Sequence, residues 1–174
     1  MVGGSLLLDK YGRLMDSEIT DDIKIDQRGH FLVEGENLLT MAKSAGLAML
    51  EFASAFDRLE PDIVVVIADR FECLPIAMAA AYMNIPVAHL EGGEISGSID
   101  ESIRHAITKL AQIHLPATQD AADRIIRMGE AESSVCCVGS SSFDALRTMD
   151  LADLDVVRQF NRSRGVGEII DLEP

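Results

Sequence analysis

Two short apolar runs, each introduced by a proline, constrain what this chain can fold into. Pro61 opens Asp62-Ile-Val-Val-Val-Ile67, and Pro86 opens Val87-Ala-His-Leu90. Neither alternates apolar with polar residues, as a strand with one wet face would, so both fit strands of a parallel sheet buried on both faces. Further strands are predicted over residues 112–115, closed by Pro116, and 134–138, closed by Gly139, with shorter ones over 1–3 and 23–26. Between them lie helical patterns. Leu38, Ala42, Ala45, Met49, Phe52, Phe56 and Leu59 recur at steps of four and three and make one apolar face. A second helix starts near Leu74, with Pro75 in its first turn, a third covers 100–111 and a fourth 119–128. Strand and helix alternating at these lengths imply right-handed crossovers and an α/β fold: a three-layer αβα domain around a mostly parallel, Rossmann-like sheet.

Composition narrows the class. The 174 residues hold 15 Lys+Arg against 29 Asp+Glu, a net charge of −14, and the cations are scattered, which argues against nucleic acid as a partner. At 48% hydrophobic and 25% charged the chain is globular and long enough to build its own core. The longest nearly unbroken apolar stretch, 74–83, contains Pro75 and falls short of the ~18–20 residues of a membrane span, so no membrane association is expected. Cys73, Cys136 and Cys137 are odd in number and share no CxxC or Cys/His ligand spacing; they read as buried thiols of a reducing, cytoplasmic compartment, with no metal. No GxGxxG, GxxxxGK[ST] or GxSxG string occurs, which removes the usual dinucleotide, P-loop and serine-hydrolase motifs.

In an open parallel sheet, ligands bind beyond the carboxyl ends of the strands, so the residues that follow each apolar run are the ones to inspect. Asp69-Arg70-Phe71-Glu72 follows the first run and Glu91-Gly92-Gly93-Glu94 the second. Asp100-Glu101-Ser102-Ile103-Arg104-His105 opens the next helix, with Arg104 on one face with Asp100 and Glu101. Carboxylates and arginines thus gather on one rim. Each has a plainer role open to it: Asp69 as a helix cap, Glu101 and Arg104 as a surface ion pair, Gly92-Gly93 as a turn. His89 sits within an apolar strand and reads as a core histidine; His30 and His114 carry no signal, and Cys73 reads as packing.

The string from His89 through Glu91-Gly-Gly-Glu-Ile-Ser-Gly-Ser-Ile-Asp-Glu-Ser-Ile-Arg104-His105 to Leu110 closely resembles the hydrolysing UDP-N-acetylglucosamine 2-epimerases. Leu59-Glu-Pro-Asp-Ile-Val, Asp69-Arg-Phe, the opening Gly4-Ser-Leu-Leu with Tyr11-Gly12, and Gly139 with Phe143-Asp144 extend the resemblance across residues 1 to about 148. It implies the N-terminal half of a glycosyltransferase-B fold, with UDP-N-acetylglucosamine in a cleft between two Rossmann-like domains. It also implies elimination of UDP to a 2-acetamidoglucal, then hydration to N-acetylmannosamine, as in sialic-acid biosynthesis, with no cofactor and a homodimeric assembly. Asp69, Glu91 and Glu101 fall where the family keeps its catalytic carboxylates, with Asp100 competing for the third place. Arg70, Gly92, Gly93, Asp100, Arg104 and His105 fall at substrate-binding or supporting positions. The chain departs from the family pattern at Leu6, usually a histidine, at Ala68, usually a glycine, and at Ser141, usually a proline.

By the same resemblance, residues 1–150 form an N-terminal domain without its first strand–helix unit, and 151–174 a helix and linker toward an absent second domain. The chain alone is then expected to be inactive. If the three carboxylates share one rim, mutual repulsion is expected to raise at least one of their pKa values. A contrasting expectation is a non-catalytic domain that binds a nucleotide sugar, or one that dimerises through the helix beginning at Leu38.

Overall fold

A computed structural model describes residues 2–8, 25–35, 37–141 and 143. The chain divides into two compact units, Met1–Gly139 and Ser140–Pro174, and of the second only Ser140, Ser141 and Phe143 are described. The expected boundary at 150, the helix and linker over 151–174 and the Tyr11-Gly12 motif lie outside the described residues.

The first unit is α/β with parallel strands throughout. Strand β1 (Val2–Gly3) pairs with β2 (Arg28–Gly29), and a separate three-stranded sheet runs in the order β3 (Val64–Ile67), β4 (Val87–Leu90), β5 (Ile113–Leu115). Helix α1 (Leu38–Leu59) links β2 to β3, α2 (Cys73–Tyr82) links β3 to β4, α3 (Ile99–Leu110) links β4 to β5, and α4 (Gln119–Arg127) follows β5. The helix starts follow from their caps. Asn37 accepts from the Thr40 amide at 3.0 Å while Thr40 Oγ1 accepts from the Asn37 amide, a reciprocal capping box; Ser98 and Thr118 cap α3 and α4. Glu60, left-handed at φ 45°, ends α1 just before Pro61.

The core lies between one face of the three-stranded sheet and the helices α1, α2 and α3. Phe52 bridges Phe31 and Phe56 at ring separations of 5.8 and 5.7 Å, and these pack with Val64, Val66 and Ile107. Such tilted aromatic pairs are worth about 0.5–1.5 kcal/mol each beyond the area they bury.

Three expectations are corrected here. The strand expected at 23–26 is at Arg28–Gly29, with Ile25 and Asp26 outside any strand. The strand expected at 134–138 reduces to a single parallel bridge, His114 to Val135, behind a short 3-10 turn at Glu132–Ser134. The β3 run is not covered on both faces by the described residues: Val64 and Val66 are buried, whereas Val65 is 60% and Ile67 45% exposed. The cause is topological. Strands β3, β4 and β5 advance in one direction, and right-handed crossovers then put their connecting helices on one side.

Candidate active site

Strands β3 and β4 leave the sheet by the same device. Their last residues, Ile67 and Leu90, are register partners, and the next residue in each chain segment, Ala68 and Glu91, takes a left-handed backbone at φ 56° and 57°. The Ala68 amide donates to the Leu90 carbonyl and the Glu91 amide to the Leu115 carbonyl, both at 2.9 Å, so each segment turns out only after a final ladder bond. Non-glycine residues in this region cost of order 1–3 kcal/mol and persist where the surroundings over-determine them. The turns place Asp69 and Glu91 just beyond the carboxyl ends of two neighbouring strands.

Beneath them the rim is tied to α3. Arg104, 7% exposed, forms an ion pair with Asp69 and donates from Nη1 to the Glu94 carbonyl at 2.7 Å. One guanidinium therefore fixes both the β3 turn and the segment after β4. The ion pair read from spacing, Glu101 with Arg104, is replaced by this longer-range one. Glu101 instead accepts from the Ser96 and Gly97 amides at 2.9 and 2.8 Å. The Gly97 and Ser96 amides hold its carboxyl below the ordinary glutamate range. Asp100 stays on the first turn of α3, where its carboxylate accepts from Ser98 Oγ at 3.2 Å.

The glycines of this turn are there for space. A Cβ at Gly92 would lie 2.7 Å from His89 Nδ1, and one at Gly93, where φ is +82°, would lie 2.5 Å from the Ala121 carbonyl. Arg124 of α4 donates to the Gly93 carbonyl. His89 lies below, fully buried, with Nε2 2.9 Å from the Ala68 carbonyl and Nδ1 3.2 Å from Thr108 Oγ1. Burial, against the opposing hydrogen bond to Ala68, lowers its pKa to about 4, so the ring is neutral and joins the β3 turn to α3. His105 is half-buried, its Nδ1 enclosed without a hydrogen-bond partner. Arg70 is turned along the rim, its Nη2 2.8 Å from Glu72 Oε1. Thr108 and Arg124 carry no mark in the sequence, because each acts on a backbone group or on a neighbour distant in the chain. His114 had no sequence signal either; it is buried, with Nε2 3.4 Å from Glu130 Oε2. Among the described residues no cluster of three or more His, Cys, Asp or Glu could hold a metal ion, and no helix is long and apolar enough to cross a membrane.

Next to Arg70 a cavity of about 410 Å³ opens between the ends of the two sheets and the start of α1, lined largely by apolar side chains such as Leu8, Val33, Leu38, Met41 and Phe71. Comparison with known proteins decides the family, because residues 9–167 match that of the UDP-N-acetylglucosamine 2-epimerases. The chain belongs to this family. It is 43% identical over 120 residues to a Legionella pneumophila UDP-N,N'-diacetylbacillosamine 2-epimerase (hydrolyzing), covering 69% of this chain and 32% of that protein. A Campylobacter jejuni GDP/UDP-N,N'-diacetylbacillosamine 2-epimerase (hydrolyzing) is 35% identical over 148 residues, 84% of this chain and 38% of the other. The fold matches the Methanocaldococcus jannaschii UDP-GlcNAc 2-epimerase, solved in complex with UDP-GlcNAc and UDP, with a TM-score of 0.64 and 27% identity over 71% of this chain and 35% of that one. The architecture is thus that of part of a glycosyltransferase-B fold, and the chain spans between about a third and two fifths of these relatives.

Proposed function

We propose that this 2-epimerase chain supplies the acid–base wall of a hydrolysing nucleotide-sugar 2-epimerase acting on UDP-N-acetylglucosamine or a close relative. The observation that supports the reading is the pair of left-handed turns that end two neighbouring strands just before Asp69 and at Glu91, with Asp69 held by Arg104. The chemistry asks for such a rim. The C2 proton of the sugar is barely acidic, so the departing diphosphate must first build oxocarbenium character at C1. A carboxylate then removes the proton to give the 2-acetamidoglucal, water adds at C1, and C2 is reprotonated from the other face. Asp69 and Glu91 are the proposed proton-transfer groups, and Arg70 and Arg104 supply positive charge beside them.

Glu101, occupied with two loop amides, is proposed to hold the 96–97 loop over the site as well as to serve as the third carboxylate; Asp100 remains its rival. Gly92 and Gly93 would let the turn that carries Glu91 pack closely on His89 and α4 beneath the sugar, and His105 would support Arg104. The assembly is proposed to be a cytoplasmic homodimer. A second substrate, UDP-N,N'-diacetylbacillosamine, is favoured by the names of the two relatives above and by the apolar cavity beside Arg70, which suits a 6-deoxy sugar with an extra acetamido methyl.

The test is turnover by this chain completed with a C-terminal domain, assayed with both sugars by release of UDP. Asp69→Asn, Glu91→Gln and Glu101→Gln are each expected to cut the rate by about a hundredfold or more with folding intact. Near-normal rates in all three would return these residues to caps and surface pairs, and loss only in Asp100→Asn would move the third role to Asp100.

A further inference from the structure

His89 is a buried ring that the proposed proton transfers do not use, yet it meets both turns of the rim. It stands on β4, two residues before Glu91, with Val66 of β3 as its register partner. Its Nε2 reaches forward along the neighbouring strand to the carbonyl of Ala68, the residue just before Asp69, at 2.9 Å. A carbonyl only accepts, so Nε2 carries the ring proton and Nδ1 is left as an acceptor. Thr108 Oγ1 is its donor at 3.2 Å, and the Arg104 carbonyl at 3.1 Å competes for the same hydroxyl proton.

Ala68 is the left-handed residue of the first turn. Its amide is held by the Leu90 carbonyl and its own carbonyl by His89, so both of its backbone groups are anchored to β4, the strand that leads into Glu91. That double anchorage keeps a non-glycine residue in a conformation it would otherwise leave. The ring also bears on the second turn, because a Cβ at Gly92, next to Glu91, would stand 2.7 Å from Nδ1. We infer that His89 is a positioning residue: its Nε2 bond to Ala68 sets where Asp69 stands relative to Glu91, and Thr108 fixes the ring that makes this bond. The inference rests on the reading of Asp69 and Glu91 as the proton-transfer groups and adds to it what holds their spacing.

Two substitutions separate the hydrogen bond from the ring. His89→Gln places an amide nitrogen about as far out as Nε2, whereas the His89→Asn amide stops near the level of Nδ1. In the purified chain, exchange of the Ala68 amide followed by NMR is expected to quicken about tenfold or more in His89→Asn and to stay within about threefold of the parent in His89→Gln. In the chain completed with a C-terminal domain, kcat for UDP release is expected to fall by about tenfold to a hundredfold in His89→Asn, with KM within about twofold, and to recover in His89→Gln. Thr108→Val, nearly isosteric, serves should His89→Asn not fold: kcat is expected to drop about tenfold and to return in Thr108→Ser. His89→Gln as impaired as His89→Asn, or Ala68 exchange and kcat unchanged in both His89→Asn and Thr108→Val, would overturn the inference. A completed parent that turns over neither sugar would instead defeat the enzymatic reading, and Ala68 exchange would still decide whether His89 holds the turn.

Discussion

His89 shows how a single residue links the site to stability. Its folded pKa of about 4 lies below the unfolded value of 6.5, so between these values the unfolded chain binds the extra proton. The neutral ring's contribution is therefore complete above pH 6.5 and is lost as pH falls toward 4, amounting to about 3 kcal/mol at about 1.4 kcal/mol per unit. Urea unfolding followed from pH 7 to 4 should show stability falling in that window, and His89→Gln should flatten the slope; an equally steep slope in the variant would assign it to other groups. Burial also lowers the His114 pKa against the pull of Glu130, which adds to the same trend. The cysteines divide likewise. Burial, reinforced by Glu72, raises the Cys73 thiol to about 11, while Cys136 and Cys137 are exposed. Iodoacetamide at pH 8 should therefore modify Cys136 and Cys137 first, with Cys73 slower by about a hundredfold, and equal rates would contradict its burial. The expectation of three buried thiols thus holds for Cys73 only in part, since that residue is half-buried, and fails for the other two, which lie beyond the last sheet strand.

At the scale of the element, the paired turns after β3 and β4 are where local preference and fold disagree. Ala68 takes a left-handed backbone that glycine adopts freely, which gives a physical reason for the glycine usual in the family at that position. Ala68→Gly should relieve that strain by about 1 kcal/mol, partly offset by the freer unfolded chain, for a net gain of about 0.5 kcal/mol in thermal or denaturant unfolding. A loss of stability would mean that the turn is held without strain. The helices needed no such compromise. Asn37, Ser98 and Thr118 cap three of them at positions where a short polar side chain precedes an apolar pattern; these three begin and end within about two residues of the predicted bounds, and the helix expected to start near Leu74 starts at Cys73. The shortest strands were the hardest to place. Two-residue strands such as Arg28–Gly29 are chosen by their neighbour β1, not by their own composition.

For the whole molecule, the question is what closes the cleft. Asp69 and its neighbours stand on an open rim, and protonation on two faces of a sugar requires a second wall that also excludes water. The chain matches 32% and 38% of the two relatives' lengths. Purified by itself, it is expected to release no measurable UDP from UDP-N-acetylglucosamine, and steady turnover would mean that self-association rebuilds the cleft. The exposed Val65 and Ile67 belong to the same scale. Their β-branched composition foretold burial, but which face of β3 the described residues cover is set by the direction in which the strands advance.

The sequence by itself determined the elements, the parallel sheet and the rim on which the chemistry falls, because apolar periodicity, prolines and caps act over a few residues and strand ends follow from strand positions. It also carried the family, through one long string from His89 to Leu110. Only the tertiary structure decided the pairings. Asp69 meets Arg104 and not a helix cap, Glu101 turns to loop amides and not to Arg104, and His89 bridges Ala68 to Thr108. The reason is distance along the chain: Asp69 and Arg104 are 35 residues apart, and only the crossover through β4 and α3 brings them into contact.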